Sequence, residues 1–170
     1  MARSRRPTHL DDAGRSRMVD VGGKPLTARR AVAEGFVRVS RALASAIAAD
    51  RLAKGNLLEV ARLAGIQAAK QTDRLIPLCH NVPLDVVDVK AELRDGRVCL
   101  RAEVKTIWKT GVEMEALTAV MVAALAVIDM GKAVDPGMVV EDVRLLEKSG
   151  GVHGRYVART ATRRPRGKAR

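Results

Sequence analysis

KTGVEMEALTAVMVAALAVIDMGKAVD, residues 109–135, is the stretch on which the fold turns. Between Glu115 and Asp129 it is almost wholly apolar and rich in alanine, the composition of a helix buried on most sides. Thr110 followed by Glu113 fits a capping box, which predicts a helix beginning near Gly111. Glu113 and Glu115 then lie where the positive end of the helix dipole favours carboxylates, and that alone would account for them. At the other end Asp129 and Lys132 are three residues apart and share a face. Such a pair is either an ordinary exposed ion pair near a helix end or a partly desolvated acid/base couple beside the Gly131 break. Fourteen residues separate Glu115 from Asp129, about 21 Å along a helix. One small substrate in one subunit cannot touch both, so a site using both ends needs a second copy of the chain.

Working outward, two alternating runs precede this helix, Leu84–Leu93 and Arg97–Ile107, joined by Asp95-Gly96, the strongest short hairpin signal. After it, Pro136-Gly137 marks a break and residues 138–148 read as a strand. Upstream, ARRAVAEGFVRVS from Ala28 alternates, with Ala31, Ala33, Val37 and Val39 on one side and Glu34 and Arg38 on the other. Ser40 caps a short helix, and Asn56 caps a longer one with a face of Leu57, Val60, Ala61, Ala64 and Ala68. Residues 72–83, bracketed by Pro77 and Pro83, read as an ordered loop carrying Cys79 and His80. The order β, α, α, β, β, α, β is, with one extra helix, the split βαβ arrangement. It predicts an α+β ferredoxin-like sandwich, an antiparallel sheet with helices packed on one face. Residues 1–27 read as an irregular arm, 28–154 as a single domain, and 155–170 as a basic tail expected to be disordered.

The formal charge of +12 over 170 residues suggests a nucleic-acid partner until its distribution is read. Ten of those charges sit in residues 1–10 and 155–170, leaving about +2 for the body between. Phe36, Trp108 and Tyr156 are the only aromatic residues, too few for a base-stacking platform. The longest apolar run, Ala119–Ile128, is about half of what a bilayer needs, and the basic N-terminus has no apolar signal core. Two cysteines without CxxC spacing fit a reducing compartment, so the reading is a soluble cytoplasmic protein without membrane or nucleic-acid partners. Cys99, His9 and His153 are too scattered to complete a metal site, so none is expected. His80 is either a hydrogen-bonding or proton-relaying group or a structural histidine. Lys54-Gly55-Asn56 at a helix start either holds an anion or is solvated, and Arg29, Arg30 and Lys24 pose the same choice for a phosphate-bearing ligand.

As strings, the same segments say more. AGIQAAKQTDRLIPLCHN, KTGVEMEALTAV, DMGKAVD, VRLLEKSGG and THLDDAGRSRMVDVG closely resemble the molybdenum cofactor biosynthesis protein C family, the cyclic pyranopterin monophosphate synthases. The resemblance covers about residues 8–154. It implies a ferredoxin-like lyase that converts 3',8-cyclo-7,8-dihydroguanosine 5'-triphosphate to cyclic pyranopterin monophosphate with release of pyrophosphate. The preceding GTP cyclisation belongs to a separate radical enzyme. It further implies a homohexamer, a trimer of dimers with sites at the dimer interface, and no tightly bound organic cofactor. By motif, Asp129, Lys132 and Lys54 match the catalytic residues. Leu78, Cys79, His80, Met114 and Glu115 match substrate-binding segments, with Glu113 as a supporting carboxylate and Arg29 and Lys148 as triphosphate-holding cations. Asn81 stands where the family commonly has proline. The rival reading is a non-catalytic nucleotide- or RNA-binding ferredoxin-like module, favoured by the terminal arginines.

Overall fold

The computed structural model describes residues 13–151 and 154–159. His9, His153 and most of the expected basic tail lie outside them. Strand β1 (Thr27–Arg38) is followed by α1 (Arg41–Ala48), α2 (Leu57–Ala69) and the one-turn α3 (Thr72–Leu75). The hairpin β2 (Val86–Arg94) and β3 (Arg97–Trp108), helix α4 (Glu113–Gly131), β4 (Val139–Ser149) and the two-residue β5 (Tyr156–Val157) complete the order. Sheet order is β2-β3-β1-β4-β5, every neighbouring pair antiparallel. With helices packed on it, this is the expected α+β ferredoxin-like sandwich.

The local signals explain the boundaries. Ser40 Oγ accepts from Leu43 N at 3.2 Å and Asn56 Oδ1 from Glu59 N at 2.9 Å, each capping the helix that follows. Asp95 and Gly96 both have positive φ, 48° and 71°, the conformation a type I′ turn requires. Alternation sorts the sheet into two faces. Ala31, Ala33 and Val37 of β1 and Val98, Leu100, Ala102 and Val104 of β3 are fully buried, forming the core with α2 and α4. On the opposite face Arg30 bridges Glu103 and Glu147, each at 2.8 Å, and Arg144 pairs with Glu34 at 2.7 Å.

Three expectations change. Helix α4 starts at Glu113 rather than near Gly111, and Val112 at its N-cap makes no side-chain bond. The capping box does not form because Glu113 reaches instead to Lys148 on β4. Helix α2 turns Ala61, Gly65, Ala68 and Ala69 inward and leaves Val60 39% exposed. A Cβ on Gly65 would lie 2.9 Å from the Ala119 carbonyl, so the smallest residues face α4 and the larger Val60 is rotated out. Strands β4 and β5 pair through Glu147–Val157 and Lys148–Tyr156, so the sheet extends into the start of the expected tail. By length and hydropathy α4 could cross a membrane, but the sheet and α2 bury it as a core helix.

Candidate functional site

The two ends of α4 carry separate groups of polar side chains. At its amino end the first turn supplies Met114 and Glu115, and the loop after α3 supplies Leu78, Cys79 and His80. Together with Val19, Val21 and Lys24 of the N-terminal segment they line a cavity of about 460 Å³. Glu115 is 4% exposed. Burial pushes its carboxyl up to about 7, with the charges of Glu113 and Asp73 adding to the effect. Burial also raises the Cys79 thiol, which therefore suits apolar packing better than thiolate chemistry. His80 Nε2 lies 2.8 Å from Val19 O, an arrangement in which Nε2 carries the proton and donates it. Asn81 Nδ2 donates to Asp73 Oδ2 at 2.8 Å, tying this loop to α3 through a bond that proline could not make.

A second cavity of about 550 Å³ adjoins the first and shares Lys24, Thr110, Gly111 and Glu113 with it. Its remaining lining includes Arg29, Lys109, Lys148, Gly150 and Gly151. Arg29 is fixed by donation from Nε to Trp108 O and from Nη2 to Lys109 O, both at 3.3 Å. Lys148 Nζ lies 2.9 Å from Glu113 Oε1. Gly150 and Gly151 have φ of 98° and 73°, and a Cβ on either would strike Ala28 O or the Arg29 guanidinium. Glycine at both positions is thus what allows the chain to pass so close to Arg29.

At the carboxyl end of α4, about 21 Å away at helical rise, Asp129 is gripped by two lysines. Lys132 Nζ is 2.8 Å from Oδ1 and Lys54 Nζ is 2.9 Å from Oδ2, with Lys54 also donating to Asp129 O at 2.8 Å. Their hydrogen bonds and charges, Lys132 first, hold the Asp129 carboxyl at about 2. The desolvated couple entertained from the sequence is not present within one chain, since Asp129 is 59% and Lys132 61% exposed.

The expected residues therefore fall into three clusters. Leu78, Cys79, His80, Met114 and Glu115 gather with Glu113, which also joins Arg29 and Lys148. Asp129, Lys132 and Lys54 gather at the far end. Val19, Val21 and Lys109 also line these cavities, and nothing in their spacing marks them. Valines in an irregular arm carry no periodic signal, and Lys109 stood in the family-like string without a role of its own. Among the described residues, no group of three or more His, Cys, Asp or Glu side chains converges as a metal would require.

The MoaC family profile matches residues 18–151, a span containing all three clusters. This chain belongs to the MoaC family. Among its relatives, the cyclic pyranopterin monophosphate synthase of Parvibaculum lavamentivorans is 54% identical over 154 residues, covering 89% of this chain and 96% of the relative. The protein of the same name from Streptomyces avermitilis is 56% identical over 151 residues, 88% of each chain. That from Nocardioides sp. is 54% identical over 153 residues, covering 88% and 94%. In this MoaC-family chain, then, a cavity with a buried carboxyl adjoins a cation-lined cavity, and an exposed Lys-Asp-Lys cluster stands one helix length away.

Proposed function

We propose that this chain is a cyclic pyranopterin monophosphate synthase, a lyase of molybdenum cofactor biosynthesis acting on 3',8-cyclo-7,8-dihydroguanosine 5'-triphosphate. The observation that carries the reading is the match to synthases of that name along nearly the full length of both chains. In this reading the first cavity holds the pterin, whose amide-like edge is gripped by Glu115 and the Leu78–His80 loop. Arg29 and Lys148 hold the triphosphate and stabilise the pyrophosphate that leaves when the cyclic phosphate closes. Asp129, Lys132 and Lys54 move protons during ring rearrangement.

Because the proton-moving cluster is a helix length from the cavities, the working site combines two copies. The exposed side of α4 supports this. Met114, Leu117, Met121, Leu125 and Ile128 form a stripe spaced three, four, four and three, which reads the same from either end. Met114, Met121 and Leu125 are 37%, 45% and 57% exposed. An antiparallel pairing about a two-fold axis at Met121 sets Asp129 of one copy opposite Glu113 of the other. It also removes water from the lysine cluster. We take the assembly to be a homohexamer built as a trimer of such dimers, working in the cytoplasm downstream of a radical GTP cyclase.

The deciding experiment supplies the purified protein with the cyclised dihydro-GTP and assays pyrophosphate and pterin product. Equimolar formation of both supports the synthase; neither product from folded, assembled protein rejects it.

A further inference from the structure

The segment Val19–Lys24 belongs to no helix or strand, yet it is fastened across the cavities from two directions. His80, in the loop after α3, donates to Val19 O at 2.8 Å, and Lys109, in the loop before α4, donates from Nζ to Gly22 O at 2.7 Å. Both clasps grip backbone carbonyls, so they fix the course of the segment without reading its side chains. Between them Asp20 Oδ1 accepts from Gly22 N at 2.7 Å and Lys24 N donates to Val21 O at 3.1 Å, folding the segment into a tight turn. Val19 and Val21 wall the first cavity, and Lys24 alone of the segment lines both. Arg29 is already committed to two carbonyls and Lys148 to Glu113, whereas Lys24 is exposed at the junction.

We propose that Val19–Lys24 is a strap held by His80 and Lys109 so that Lys24 adds a cation where the cavities meet, making Lys109 a positioning residue for the phosphate chain of the substrate. The choice of ligand rests on the synthase reading; the fastening of the strap does not. Fixing the backbone that carries Lys24 beside a cation-lined cavity strengthens anion binding, because that part of the ordering is complete before the ligand arrives. Lys109 then contributes through the strap rather than by its own charge.

The test compares wild type, Lys24→Met, Lys109→Met, Lys109→Arg and the Lys24→Met/Lys109→Met double variant. Hydrogen exchange at the Gly22 and Lys24 amides is expected to quicken about tenfold in Lys109→Met and to stay slow in Lys109→Arg. Each single methionine variant is expected to weaken inorganic pyrophosphate binding, and to raise KM for the cyclised dihydro-GTP, by about tenfold with kcat nearly kept. The double variant is expected to be no worse than Lys24→Met alone, because Lys109 acts through Lys24. Losses that multiply to about a hundredfold, with exchange unchanged in Lys109→Met, would overturn the strap and make Lys109 a direct ligand. If wild type binds pyrophosphate but yields no pterin, the synthase reading falls, and the exchange and binding measurements still decide the strap.

Discussion

The Glu115 carboxyl is nearly enclosed, and burial pushes it up to about 7, well above the ordinary carboxylate range. The folded state therefore favours the protonated form. Stability from this group is greatest below about pH 4.5 and falls as pH rises towards 7, by roughly 3 kcal/mol in all. Glu115→Gln should remove that slope, so that its urea midpoints at pH 5 and pH 8 lie closer together than those of the wild type. An unchanged slope would assign the titration to another group. Asp129 is shifted the opposite way, so its ion pairs persist above the ordinary carboxylate range and are lost only as pH falls through about 2. At neutral pH it is an ionised carboxylate, able to accept a proton or steady a cation. Asp129→Ala and Lys132→Ala should each abolish turnover while circular dichroism stays that of the folded chain, because within one chain this exposed pair adds little to stability. Near-normal pyrophosphate release from either variant would remove the cluster from the chemistry.

Between elements, α2 packs tightly against α4. A Cβ at Gly65 would already lie 2.9–3.3 Å from the Ala119 carbonyl, Val89 and the Ala123 methyl, leaving no room for a branched side chain. Gly65→Val should cost about 1–3 kcal/mol by forcing the helices apart, measurable by chemical denaturation. This contact also marks the limit of what could be read in advance. The caps at Ser40 and Asn56 and the Asp95-Gly96 turn were legible because each is settled within four residues of chain. The inward face of α2 was not, since Val60 looks like a core residue until the approach of a distant helix selects the glycine. The start of α4 was missed for the same reason: the Glu113 partner is Lys148, 35 residues away. Of the candidate site, family-like strings flagged the residues, and the fold alone disclosed that they form three clusters and that the N-terminal segment walls two cavities.

At the scale of the whole molecule, a shared site makes two demands. Met121→Arg would set like charges face to face on the proposed axis, and is expected to lower the mass found by light scattering and the turnover together while circular dichroism stays that of the folded chain. Unchanged mass would dismiss the α4 pairing. Inactive Glu115→Ala and Lys132→Ala chains, mixed and reassembled, should regain activity approaching about a quarter of the wild-type sites, since each mixed pair contains one intact combination. No recovery after verified exchange of subunits would count against sharing. The sheet order has a consequence for synthesis as well. β1, the middle of the sheet, leaves the ribosome first among the strands, while β3 and β4, which flank it, follow only after intervals of up to about a hundred residues. The hub of the sheet therefore gains its first neighbour only once β3 is made and its second only once β4 follows α4, so the nascent sheet closes late.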